Sequence, residues 1–416
     1  MAKSANFESL HLPPIIQKLA EEVHHRGGQA WLVGGGVRDF LMNQAVKDFD
    51  VEVFGLEPEP LEGLLKSLGH VNTVGKAFGV FKLRPHAQPS SEEIDVSIPR
   101  RDSNKGPGHK GIDVQGDPHM SVEEAVTRRD LTINAMMVDI RTRTLTDPAN
   151  GYCDLQTGRL RAVDTTTFLE DPLRALRVIQ FAARTGFQAD PTLKDLCRFA
   201  SLSELPAERI QAEWGKLLLR GSYIHKALQL AREVALGRVF PERVDDPSLD
   251  IALQRALSPR DSLTTASAQW ILMLTVWLAH TSPEHAETTL DRLWIHRVGK
   301  VDVRRQVLQQ LHHLQDPTDS DAALRHLSVH AELWTALQVR HAIHPTPHWS
   351  KQLTRARVLG IEHQKPTPLL QGRDLKECGI RPGPAMGTAL RKVYTAQLDG
   401  LLSSRTEAIS WLRENG

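Results

Sequence analysis

Two aspartates in the run Asp48-Phe49-Asp50-Val51-Glu52-Val53-Phe54 are the residues of this chain best placed for chemistry. In a strand over residues 48–54 the period of two puts Phe49, Val51 and Val53 on one face and Asp48 and Asp50 on the other. Neighbouring carboxylates repel each other unless a cation lies against them, and hard oxygen donors suit Mg²⁺. Two such ions about 3.5 to 4 Å apart serve in-line phosphoryl transfer, one polarising an attacking hydroxyl and the other the leaving group. Solvated aspartates on an exposed edge strand would read the same way. Asp95 alternates with Ile94, Val96 and Ile98 in another strand and could add a third carboxylate, whereas Glu52 lies one pleat beyond Asp50 and reads as peripheral.

Just upstream, Trp31-Leu32-Val33-Gly34-Gly35-Gly36-Val37-Arg38-Asp39 reads as a strand, a glycine turn and the start of a helix. Backbone N–H groups at such a turn suit a phosphate, although a plain tight turn uses the same glycines. Far downstream, Glu170-Asp171-Pro172-Leu173-Arg174 reads as a helix start with Asp171 at the N-cap and Pro172 first in the helix. Leu173, Leu176, Ile179 and Ala183 form its buried stripe, and the spacing lets Glu170, Asp171 and Arg174 share one face. A carboxylate acceptor beside a guanidinium donor matches cytosine and adenine, which show an amino group next to a ring-nitrogen acceptor. Uracil and guanine would set a ring N–H against a donor, at a cost of roughly 1 to 3 kcal/mol.

The elements that must hold these groups change character along the chain. Up to about residue 139 β-type alternation mixes with helices, with strands expected over 29–33, 48–54, 79–83 and 94–98 and the last three half-buried; beyond 165 the pattern is helical. Residues 99–118 hold seven glycines or prolines and read as a mobile loop, with Gly106, Gly108 and Gly111 as hinges and Arg100, Arg101, Lys105 and Lys110 within reach of phosphates. Further breaks are expected at 241–247 and around 344–368. A length of 416 residues with 40% hydrophobic content implies two to four domains, and a net charge of +1 confines any polyanion site to a local patch. No apolar run reaches the ~18 residues of a membrane span, and the first twenty residues lack signal-peptide order, so a cytoplasmic protein is expected. Cys153, Cys197 and Cys378 read as buried thiols, and Trp270, Trp277 and Trp294 as core.

The motifs Gly34-Gly35-Gly36-Val37-Arg38-Asp39, Lys47-Asp48-Phe49-Asp50 and Arg128-Arg129-Asp130-Leu131-Thr132-Ile133-Asn134-Ala135 resemble, in order and spacing, the bacterial class of tRNA nucleotidyltransferases and poly(A) polymerases within the polymerase-β superfamily. Asp147-Pro148-Ala149-Asn150-Gly151, Glu170-Asp171-Pro172-Leu173-Arg174-Ala175-Leu176-Arg177 and Glu208-Arg209-Ile210 extend the resemblance over residues 28–219. It implies an α+β fold: a polymerase-β-like head with a mixed sheet over 1–140, then an all-helical neck over 141–222 bearing the base-selecting motif, a body over 223–345 and an RNA-binding tail over 346–416. It also implies two Mg²⁺ ions on Asp48 and Asp50, nucleotide contacts from Gly35 and Arg38, and triphosphate and ribose contacts from Arg129 and Asp130. Asp171 and Arg174 would then read the base, Glu170 would orient Arg174, and Arg177 would reach the base or phosphates.

The implied substrates are CTP, ATP and the tRNA 3′ end, with the tail at the tRNA elbow and no obligate protein partner. The long 99–118 segment favours full CCA addition or terminal A addition over stopping at CC. A terminal A-adding enzyme, a poly(A) polymerase and a catalytically silent RNA-binding protein remain alternatives. Many relatives carry a metal-dependent phosphohydrolase marked by a His-Asp dipeptide, and none of the 19 histidines here precedes an aspartate. His280, His285, His296, His312 and His313 therefore read as surface residues, and phosphate-ester hydrolysis assayed with added divalent cations is expected to stay at background.

Overall fold

The structure, a computed structural model, describes residues 7–46, 48–72, 79–86, 93–104, 112–203, 205–236, 245–345 and 348–415, which divide into two compact units. The first unit comprises residues up to Ile210 together with Gln229–Leu236. Its elements begin α1 (Pro14–His25), β1 (Gln29–Val33), α2 (Gly35–Leu41), β2 (Asp50–Phe54), α3 (Pro58–Leu68), β3 (Gly69–Asn72), β4 (Val80–Pro85) and β5 (Ile94–Ser97). A hairpin of β6 (Arg100–Asn104) and β7 (Ile112–Gly116) follows, then α4 (Val122–Thr127), β8 (Met137–Asp139), β9 (Leu145–Thr146) and α5 (Gly151–Thr157). The pair β10 (Arg159–Leu160) and β11 (Gln188–Ala189) flanks α6 (Leu173–Thr185), and α7 (Pro191–Phe199) comes next.

Seven strands form one mixed sheet in the order β3-β4-β5-β2-β1-β8-β9. β2 is its middle strand, antiparallel to β1 and parallel to β5, with Val33 opposite Asp50 and Asp50 opposite Asp95. One face, with Leu32, Val51, Val53, Phe81 and Val96, is wholly buried on the side of α1 and α3. The other carries Trp31, Val33 and Phe54 against Ala125 and Val126 of α4, and Asp50, Glu52 and Asp95 lie on this same face by register.

Several expectations change here. β2 starts at Asp50, so Asp48 lies exposed in the segment before the strand and not within it. The strand is buried on both faces, because the β8 side of the sheet is covered as well. The base of the expected 99–118 loop is an antiparallel ribbon pairing Arg100 with Gly116 and Asn104 with Ile112. Its glycine-rich middle, with Lys105 and Lys110, lies outside the described residues; those glycines masked the strand pattern beside them.

The second unit is helical: residues Gln211–Leu228 of α8 (Ala207–Arg220) and α9 (Ile224–Glu233), then α10 (Pro247–Ser262), α11 (Ala266–Leu278), α12 (Pro283–Arg292), α13 (Val303–His312), α14 (Asp321–His330), α15 (Leu333–Ile343), α16 (Trp349–Val358), α17 (Gly372–Glu377), α18 (Pro384–Leu398) and α19 (Arg405–Asn415). α11 is buried on all sides from Trp270 to Leu278, and Trp277 packs on Trp214 with ring centroids 4.3 Å apart. Gly215 is required beneath Trp270, whose ring would lie 2.9 Å from an added Cβ. Trp294 is not core: at the exit of α12 it takes a left-handed φ of 54° and stays 53% exposed, while Leu293 and Ile295 turn inward. The expected break at 344–368 contains α16. The last three helices share a small apolar core around Leu375, Val393, Ala408 and Leu412. Among the described residues no helix is long and apolar enough to cross a membrane.

The cysteines differ from one another: Cys153 is exposed, Cys378 half-buried, and burial pushes the Cys197 thiol up to about 12. A thiol reagent at pH 8 should label Cys153 rapidly on the native chain, and label Cys197 only after denaturation. Peptide mapping of the labelled cysteines checks this order.

Candidate active site

Val33 ends β1 directly opposite the first residue of β2, so the glycine turn after β1 must pass beside Asp50. Gly34 takes a φ of 69°, and a Cβ there would lie 3.4 Å from Asp50 Oδ2 and 3.6 Å from Arg129 Nη1. Turn, carboxylate and guanidinium thus meet at one point. Burial pushes the Asp50 carboxyl up, and so do Asp95, Asp48 and Glu52, against the opposing pull of Arg129. Asp95 sits beside Asp50 in the parallel register, but its Oδ1 is 3.2 Å from Nζ of Lys82 on β4, which is held above its ordinary value by that contact.

Among the described residues no three His, Cys, Asp or Glu side chains converge closely enough to hold a metal. The donor set nonetheless suits a hard divalent cation. Asp48 and Asp50 offer carboxylate oxygens, and a cation would relieve the repulsion and desolvation that disfavour the Asp50 anion.

Glu52, read from sequence as peripheral, is wholly buried. Its Oε1 accepts from Arg128 Nη2 and its Oε2 from Arg129 Nη2, the latter at 2.9 Å. Arg129 also donates from Nη1 to the Asn134 carbonyl at 3.3 Å. Nothing local in the sequence marks this, because the partners lie 76 and 77 residues away; the available signal was a third acidic side chain on the Asp50 face of an otherwise apolar strand.

Asp130 and Arg38 join a second buried network. Asp130 accepts from Arg177 Nε at 2.6 Å, Asn134 Nδ2 at 3.1 Å and the Leu131 N–H at 2.8 Å. Burial alone would raise its carboxyl, yet Arg177 and these donors hold it below the ordinary value. Arg38 donates to Asn134 Oδ1 at 2.5 Å and through Nε to Asp39 at 2.9 Å. Arg38, Arg177 and Arg184 all lie over the Phe181 ring of α6, at 5.0, 5.5 and 5.7 Å.

The run Glu170-Asp171-Pro172-Leu173-Arg174, expected from sequence to select the base, is arranged differently from that expectation. α6 begins at Leu173 with Pro172 at the N-cap, although Asp171 Oδ1 still accepts the Leu173 N–H at 3.1 Å. Asp171 Oδ2 is taken by Arg209 at 2.9 Å, and Glu170 ends a short 3-10 turn with its side chain exposed. Arg174 is held by backbone carbonyls, Nη1 on Thr167 at 3.2 Å and Nη2 on Arg128 at 2.8 Å, and not by Glu170. A 3-10 turn ending before the helix takes Glu170 off the helical spacing that would have aligned it with Arg174. In the ribbon, Arg100 is half-buried and Arg101 pairs with Asp117 at 2.7 Å. Gly35 packs its α-carbon side toward Arg38, whose Nη2 would lie 3.5 Å from an added Cβ.

Residues 30–161 match the family described as the Poly A polymerase head domain. A "Multifunctional CCA protein" of Haemophilus ducreyi is 32% identical over 351 residues, covering 81% of this chain and 80% of that protein. Its namesake in Nitrosomonas europaea is 38% identical over 215 residues, 50% of this chain and 49% of that protein. The chain spans about half the length of several of the curated relatives it matches. Among solved structures, the fold is similar to a Bacillus stearothermophilus CCA-adding enzyme in complex with CTP (TM-score 0.76, 24% identity, 97% of this chain and 98% of that one). It is similar also to a Thermotoga maritima CCA-adding enzyme complexed with tRNA (TM-score 0.68, 21% identity, 100% and 99%).

The depressed Asp130 carboxyl carries a pH signature. Because its folded value lies below the ordinary 3.8, the Arg177 pair contributes its full stability above that value and loses it as pH falls through the folded value. Asp130→Asn should lower the unfolding free energy of the first unit by about 3 kcal/mol at pH 7, the scale of a broken buried pair. The gap to the parent should narrow only at acid pH, as urea midpoints across a pH series would show.

Proposed function

Since the chain belongs to the bacterial CCA-adding enzyme family of the polymerase-β superfamily, we propose that it adds C and A from CTP and ATP to the 3′ end of tRNA without a template. The observation that carries this reading is the meeting of Asp50, the Gly34 turn and Arg129 at one point. In the reaction the RNA 3′-hydroxyl oxygen forms a bond to the α-phosphorus, the bond from that phosphorus to the bridging oxygen breaks with its electron pair leaving on pyrophosphate, and the hydroxyl proton passes to water. Asp48 and Asp50 are the residues that would hold Mg²⁺, with Asp95 beside them engaged by Lys82. When bound, the ions supply Lewis-acid stabilisation of the attacking and leaving oxygens.

The chain's own groups do the positioning. Glu52 balances only one of the two arginines it pairs with, which leaves a guanidinium charge for the triphosphate. Arg38, Arg177 and Arg184, gathered on Phe181, extend that positive field, and Asp130 would accept from a ribose hydroxyl. Arg174 presents a guanidinium whose orientation two carbonyls set, as required of a donor that distinguishes the ring nitrogen of C and A from the ring N–H of U and G. Asp171, shared with Arg209, supplies the acceptor for the amino group. We assign base selection to a neck over 141–222, and RNA contacts to Arg100, Arg101, Lys105 and Lys110 and to a tail over 346–416 at the tRNA elbow, in a cytoplasmic enzyme.

Transcripts lacking CCA, ending in C, or ending in CC, each incubated with CTP or ATP alone, test the product. C should enter the first two and A only the third. Incorporation of A alone would indicate an A-adding enzyme, and long A tails on unrelated RNA a poly(A) polymerase. Asp50→Ala should cost at least ~10³-fold in rate, the several kcal/mol a Lewis-acid site supplies. Arg174→Ala should admit UTP, and activity undiminished in Asp50→Ala would sink the metal assignment.

A further inference from the structure

We infer that Glu52 is a positioning residue for nucleotide binding, holding Arg129 off the Asp50 carboxylate and, through Arg128, setting the base-reading Arg174. This deepens the proposed function and rests on it. Glu52 follows Asp50 by one pleat on the same face of β2, and its side chain has no exposed surface. An unpaired carboxylate there would be prohibitive, and the structure meets it with two guanidinium groups, one on each oxygen.

The second guanidinium is the informative one. Arg129 Nη1 and Asp50 Oδ2 lie 3.6 and 3.4 Å from one point above Gly34, so the arginine stands within reach of the carboxylate that must receive a cation. Left to itself, Arg129 would neutralise Asp50. Glu52 instead ties its other nitrogen at 2.9 Å, and the Asn134 carbonyl steadies Nη1 at 3.3 Å. The guanidinium is thus oriented while keeping a full positive charge in surplus, since one carboxylate serves two arginines.

Arg128 carries the effect to the base. Its side chain is fixed by Glu52 and its carbonyl accepts Arg174 Nη2 at 2.8 Å. The triphosphate end and the base end of the site are therefore referred to one buried carboxylate on β2. A change at Glu52 should reach nucleotide affinity and base choice together, which a merely structural ion pair would not do.

The test compares the parent with Glu52→Gln and Glu52→Asp, after circular dichroism and thermal melting have established which variants fold. CTP and ATP affinity is measured by calorimetry in EDTA, and KM, kcat and UTP misincorporation are measured with Mg²⁺ on a CC-ending transcript. Glu52→Gln should weaken both nucleotides ~10-fold, about 1.4 kcal/mol, raise KM more than it lowers kcat, and raise UTP use. Glu52→Asp, which keeps the charge, should recover part of the affinity; if the glutamine variant does not fold, the aspartate variant alone should show weaker binding and more UTP use. A folded Glu52→Gln with parental affinity, KM and base choice would overturn the inference while leaving the proposed function intact. A parent chain that transfers no nucleotide would overturn both.

Discussion

A carboxylate without exposed surface, Glu52, lies on the middle strand of the head sheet between two guanidinium groups, and the arrangement of the site follows from how that charge is met. A buried ion is tolerated only when it is paired and hydrogen-bonded, because the loss of hydration is otherwise uncompensated. The partners come from the turn after α4, so meeting the charge docks that turn onto the sheet. Docking brings Arg129 beside Asp50, and the antiparallel register of β1 brings the Gly34 backbone to the same place.

From that turn the network spreads to α6. Asp130 takes Arg177, the Arg128 carbonyl takes Arg174, and Phe181 collects three guanidinium groups on its ring. α6 is thereby fixed to the turn that docks on the sheet. Charge satisfaction is uneven, and in an informative way. Asp130 is held below its ordinary value by its donors, while Asp50 is pushed above its own by burial and by neighbouring carboxylates. A group left electrostatically strained amid well-satisfied neighbours is where a protein spends stability on function.

The second unit is stabilised by other means. Its centre is apolar, with α11 buried on every side and Trp277 packed on Trp214. Its last three helices have their own small core, tied by Asp374, which accepts from the Gln371 N–H at 2.6 Å and from Arg405 at 2.7 Å. A buried charge occurs here too, where Arg260 Nη1 donates to the Leu218 and Gly221 carbonyls at 2.8 and 2.6 Å.

The double arginine was legible only through the family resemblance; the aspartate pair, the glycine turn and the shift from strands to helices were legible in the sequence itself. Each depends on local spacing, which the strand period, glycine's freedom and helix periodicity determine residue by residue. The same local reasoning misplaced Asp48 into a strand, read the base of the 99–118 segment as loop, and put Trp294 in the core. It also set Glu170 against Arg174, where the backbone carbonyls of nearby Thr167 and distant Arg128 took the guanidinium instead. Glu52 shows the boundary most clearly. By itself the sequence determined that an acidic side chain stands on the Asp50 face; only the tertiary structure decided that it is buried, because the two arginines that make burial possible arrive from 76 and 77 residues along the chain.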